Sequence, residues 1–181
     1  MLQITVPLSP EGWDEENERF IEAKYQTLQL EHSLVSLSKW ESKWNRAFLS
    51  KKDKTDEEIL DYFKCMTLTQ NVNPEVYKRL TDQHIKQINN YINAPMTATV
   101  IVNPQSSKGS NETVTSELIY YWMIALNVPF KCEKWHLNRL LTLIQVCNAK
   151  NAPPKKMNKG DIMRRNSALN AARKQRLNSR G

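Results

Sequence analysis

The carboxylates Glu57, Glu58 and Asp61, and the Cys132 and His136 pair four residues apart, are the groupings in this chain whose types and spacing could do chemistry. Neighbouring carboxylates can divide acid and base roles between them, and a Cys/His pair at helical spacing is the minimum for a metal pair or a nucleophilic dyad. Each also has a plainer reading. The three acids fall in the first turns of a helix opened by Thr55-Asp-Glu-Glu58, a capping-box spacing where the helix dipole already favours negative charge. Cys132 and His136 lack further ligands at recognisable spacing, with His32 and His84 in unrelated segments. Lys159-Gly160-Asp161 lacks the glycine-rich context of a phosphate loop in a chain with four glycines. The expectation is a protein without catalytic residues, cofactor or metal.

Charge is distributed very unevenly. Of 26 Lys and Arg and 19 Asp and Glu, residues 150–181 hold ten basic and one acidic, a net +9, leaving 16 and 18 in residues 1–149, a net −2. The positive charge is an appendage, and it reads as an electrostatic handle for nucleic acid or an acidic protein surface. It carries no aromatic residue, which weakens base stacking and leaves phosphate attraction or protein contact. The five tryptophans end at Trp135, so the core is expected upstream of the arm. Cys65, Cys132 and Cys147 are odd in number and share no C-x-x-C spacing, which points to a reducing compartment. The start has no basic region leading into a long apolar run, and the longest apolar stretch, nine residues from Leu118, falls short of the roughly 20 that span a bilayer. A cytoplasmic protein is expected.

The elements that must position these groups follow from periodicity. Leu2, Ile4 and Val6 alternate with polar residues, and a second alternation near residues 25–32 predicts its strand partner. After Ser33, the residues Leu37, Trp40, Trp44 and Phe48 recur at helical steps and put two tryptophans on one face. The Thr55 helix buries Ile59, Tyr62, Phe63 and Met66; Pro74 opens a short helix, and Thr81 caps one with Ile85, Ile88, Tyr91 and Ile92 on its face. Residues 97–102 are rich in β-branched types and predict a strand, and residues 103–111 a mobile loop. A helix up to Asn127 is apolar all round, which predicts a central position, paired with a helix over residues 134–148. Pro153 and Pro154 mark a linker, and Asn158 can cap a final helix to about Leu177 whose apolar points are sparse. The fold class is α+β, mostly helical, with a small N-terminal antiparallel β element, a globular domain over residues 1–149 and a basic helical or disordered extension over residues 150–181.

Six runs carry a family likeness: Leu30-Glu-His-Ser-Leu-Val-Ser-Leu-Ser-Lys-Trp-Glu-Ser-Lys-Trp44, Lys54-Thr-Asp-Glu-Glu-Ile-Leu-Asp-Tyr62, Pro95-Met-Thr-Ala-Thr99, Tyr120-Tyr-Trp-Met123, Lys134-Trp-His-Leu-Asn-Arg-Leu-Leu141 and Leu169-Asn-Ala-Ala-Arg173. They resemble a family of tailed-bacteriophage morphogenesis proteins, the tail assembly chaperones, over most of the chain from about Leu30. The resemblance implies a non-enzymatic protein of the host cytoplasm that coats the tape measure protein while tail-tube protein polymerises around it, then leaves before the virion matures. It also implies a short form, of which this chain would be the example, beside a frameshifted long form. Self-association of the body is expected, with Lys155, Lys156, Arg164, Arg165, Arg173, Lys174 and Arg176 engaging the client, and Trp40 and Trp44 joining them if their face is exposed. The competing expectations are a phage packaging protein whose arm binds nucleic acid and a structural connector subunit of the virion.

Overall fold

Two short strands close the N-terminal end of a mostly helical α+β fold. In this computed structural model, which describes residues 1–9, 12–14, 19–100, 113–152 and 158–177, β1 (Leu2–Pro7) pairs antiparallel with β4 (Tyr25–Leu30). The register sets Leu2 opposite Leu30 and Ile4 opposite Leu28, and the period-two alternation turns Ile4, Val6, Leu28 and Leu30 into the core. Between them, β2 (Gly12–Asp14) and β3 (Arg19–Ile21) pair antiparallel in a second small sheet, for which the sequence carried no expectation. Strands of three residues carry too little alternation to stand out.

Seven α-helices follow among the described residues: α1 (Leu34–Trp44), α2 (Asp56–Met66), α3 (Glu75–Lys78), α4 (Asp82–Asn93), α5 (Ser116–Ala125), α6 (Leu137–Asn151) and α7 (Lys159–Leu177). Ser33, Thr55 and Thr81 open α1, α2 and α4 with reciprocal capping boxes, each side chain accepting from the N3 amide while the N3 side chain returns to the cap amide. α1 ends at Trp44 because Asn45 turns left-handed, φ 50°, with its N–H on the Glu41 carbonyl. Phe48 is therefore not on the helix, as its spacing had predicted. It folds back and stacks on Tyr62 at 3.8 Å between ring centres, so the same apolar position is filled from a turn.

α1 is the hub of the body. Leu34, Leu37 and Trp40 are fully buried, and α2, α5 and the 3-10 turn Phe130–Lys134 all approach it closely. This corrects the expectation of a central α5 paired with α6. α5 turns Ile119 and Met123 inward but leaves Tyr121 and Ile124 each more than 60% exposed. Its uniform hydrophobicity gave no preferred face, so the sequence could not tell a buried helix from one covered on a single side. Residues 97–100 form a bend and irregular backbone, with Val100 83% exposed, so the predicted strand is absent over its described part; residues 101 and 102 lie outside the described residues. β-branched composition gives a strand only where a pleated, half-buried surface receives it. The loop predicted over residues 103–111 also lies outside the described residues.

The chain divides into two compact units, Met1–Ala149 and Lys150–Gly181. No helix among the described residues is long and apolar enough to cross a membrane.

Candidate partner-binding surfaces

The basic arm is ordered as α7, where the Asp161 and Ile162 amides bond to the Asn158 carbonyl at 3.0 Å. No residue of α7 is buried, and Arg164, Arg165, Arg173, Lys174 and Arg176 are all exposed. Ile162, Arg165, Leu169, Arg173 and Arg176 follow one another at steps of three and four, so one face interleaves guanidinium groups with aliphatic side chains. Such a face is suited to a partner offering both carboxylates and apolar side chains. Lys155 and Lys156 lie outside the described residues.

The tryptophan pair does not join this surface. Trp40 is wholly buried, and its indole Nε1–H donates to the Glu58 carbonyl at 2.8 Å. Trp44 is half-buried; it donates to Asp61 Oδ2 at 3.0 Å, with the Lys43 ammonium on the other carboxylate oxygen. The condition set for Trp40 and Trp44 as contacts, an exposed face, fails because that face is the α1–α2 interface. Of the three neighbouring carboxylates, Glu58 and Asp61 are placed on the same seam, whereas Glu57 is exposed. Glu58 is buried, closes the Thr55 capping box and receives Arg46, while Asp61 holds Lys43 and Trp44. The hydrogen bonds from Lys43 and Trp44 pull Asp61 below the usual carboxylate range against the opposing effect of its burial.

His136 is likewise held away from Cys132 chemistry. Its Nε2 donates to the Tyr91 carbonyl at 3.0 Å and its Nδ1 accepts from the Asn138 amide at 3.3 Å, so both ring nitrogens are engaged. The structure instead brings together two histidines that sequence spacing kept apart. His32 and His136 lie 5.1 Å apart between ring centres, where the Ser33 and His136 backbones bridge and the Leu137 amide bonds to the His32 carbonyl at 2.7 Å. His32 Nδ1 sits 2.6 Å from the Tyr62 hydroxyl. Burial first, and the neighbouring imidazole second, push His32 down from 6.5 to about 4; burial also lowers His136. Nearby, Tyr91 donates to Glu31 Oε1 at 2.7 Å and the Met1 ammonium lies 2.9 Å from Glu31 Oε2. No local signal in the sequence could have shown this cluster, because its members come from Met1, the residues after β4, the middle of α2, α4 and the residue before α6.

A groove of about 860 Å³ opens on the body between the loop after α1, the approach to α5, and α6. Leu49, Val114, Trp122, Leu141 and Ile144 supply its apolar lining, with Gln145 and Asn148 along α6. Lys51 and Lys52 stand at its edge, both exposed and without an ion pair among the described residues. No signal along the chain marked it, since its walls come from residues 49–52, 113–122 and 141–148, which no local pattern connects.

No protein family, curated protein or solved structure matches this chain.

Proposed function

We propose that this protein is a tail assembly chaperone of a tailed bacteriophage, acting in the host cytoplasm to hold the tape measure protein while tail-tube protein assembles around it. The observation that carries the reading is α7: nineteen residues of helix with none buried, cations throughout, and aliphatic side chains interleaved on one face. A helix of that composition gains little from its own chain and becomes worthwhile on a partner. The six sequence runs that resemble the phage family supply the identity of the client. The body contributes self-association along a filamentous client, so that many weak arm contacts sum to avidity.

The test is affinity capture from nuclease-treated infected-cell lysate. Tagged full-length protein is compared with a variant carrying Gln at Arg164, Arg165, Arg173, Lys174 and Arg176, and bound proteins are identified by mass spectrometry. Recovery of tape measure and tail-tube proteins by the first and not the second is the expected result. Equal recovery by both would move the contact off the arm. The +9 charge of residues 150–181 favours nucleic acid as the second reading. That reading predicts recovery of packaging proteins, and direct DNA binding that weakens steeply with salt. A connector subunit would instead be found in purified virions.

A further inference from the structure

We infer that the groove of the Met1–Ala149 unit is a docking site for an amphipathic helix of an acidic partner protein, with apolar side chains entering the groove and carboxylates meeting Lys51 and Lys52. The inference stands beside the proposed function, because every lining residue belongs to the body and none to the arm.

Three observations lead there. First, the groove gathers apolar side chains from three segments, Leu49, Val114, Trp122, Leu141 and Ile144, alongside its polar lining, and Leu49 is 38% exposed. Second, the wall provided by α6 runs from Leu141 to Asn148, about 10 Å at 1.5 Å per residue. That matches two turns of an incoming helix, the length over which positions i, i+3, i+4 and i+7 can anchor in a groove. Third, the edge carries charge of one sign. Lys51 and Lys52 are adjacent, exposed and unmatched by any carboxylate among the described residues, so a carboxylate flank complements them and a basic one is repelled. The last point argues against the cationic arm of a second copy as occupant.

The probe is a fluorescein-labelled fourteen-residue helical peptide with leucines at i, i+3, i+4 and i+7 and glutamates on one flank. A scrambled peptide of the same composition and charge serves as control. Anisotropy is measured with the full chain, with K51E/K52E, and with the five-Gln arm variant described above. Both sets of substitutions fall on exposed side chains, so folding is preserved. The striped peptide is expected to bind at least tenfold tighter than the scrambled one, to lose that advantage in K51E/K52E, and to keep it in the arm variant. Equal binding of both peptides would mean charge attraction by the arm alone and would overturn the proposal, as would an unchanged advantage in K51E/K52E. No binding to the intact chain, together with binding once residues 101–112 are deleted, would assign the groove to that segment of the chain itself. A dimer by light scattering that K51E/K52E dissolves would assign it to a second copy. Failure here with successful arm-dependent client capture leaves the proposed function intact.

Discussion

The Trp40 indole donates to the main-chain carbonyl of Glu58 at 2.8 Å, and the Glu58 carboxylate in turn accepts from the Thr55 amide that opens the same helix. One residue thus fixes where α2 begins and where α1 lies against it. Trp40→Phe removes that hydrogen bond and part of the ring; the Glu58 carbonyl keeps its place in the α2 ladder, so the loss is one net hydrogen bond, about 0.5–1.5 kcal/mol, together with the packing of the missing ring atoms. Urea unfolding should show Trp40→Phe losing about 2 kcal/mol, and Trp44→Phe clearly less, because Lys43 still holds Asp61. Equal losses would mean that ring packing, and not the hydrogen bond, sets the value.

Glu41 is buried and has no ion pair among the described residues; its oxygens accept the Phe48 amide at 2.8 Å and the Ser116 amide at 2.7 Å. It therefore ties the turn after α1 to the first amide of α5, where negative charge is favoured by the helix dipole. Glu41→Gln supplies one acceptor where two are needed and turns a donor toward an N–H. A loss of about 2–3 kcal/mol is expected, with amide exchange at Ser116 and Phe48 accelerated more than in α4.

Thr55→Ala removes the hydroxyl that caps α2, and Thr81→Ala the one that caps α4. Each should cost about 1 kcal/mol. The double variant should lose the sum, since the caps sit on different helices and share no partner. A marked departure from additivity in thermal unfolding would reveal coupling between the two helix starts.

Acid should unfold the body through His32. Its ordinary value is 6.5 and its folded value about 4, so between these limits the unfolded chain binds a proton that the folded chain refuses. The stability is complete above about pH 6.5 and is lost as pH falls through about 4, with a total on the order of 3 kcal/mol. His136, lowered in the same direction, steepens the fall. His32→Gln should flatten the dependence of the urea midpoint between pH 7 and 5, whatever it does to the midpoint itself.

Neutralising the arm should leave the body's melting temperature within about one degree, because no α7 side chain is buried. A larger fall, measured by calorimetry on the five-Gln variant, would show that the arm contributes to folding as well as to binding.

What the sequence disclosed depended on the range of the interaction. Thr55 with Glu58 and Thr81 with its N3 residue are contacts between near neighbours, so the starts of α2 and α4 were legible; so was the alternation of Ile4, Val6, Leu28 and Leu30. Phe48 kept its core position while losing its helix, because spacing records a need for burial and not the backbone that meets it. The tryptophans were legible as core from their spacing, yet only the contact with Glu58 decides how they are used. His32 beside His136, and Lys51 near Trp122, depend on chain crossings that leave no local pattern. Residues 97–100 show the reverse case, where a β-branched composition pairs with no strand among the described residues.

Three of the four left-handed residues described are asparagines, Asn45, Asn71 and Asn127; the fourth is Met96, and no described glycine adopts that conformation. An asparagine samples fewer backbone states than glycine when the chain is unfolded, so stopping a helix with it costs less ordering entropy. Glycine would relieve the side chain's strain at φ near 50° while loosening the denatured ensemble. Part of what holds α1 and α5 to their lengths therefore resides in a state that has no contacts at all: the folded form is favoured because the alternative has been narrowed.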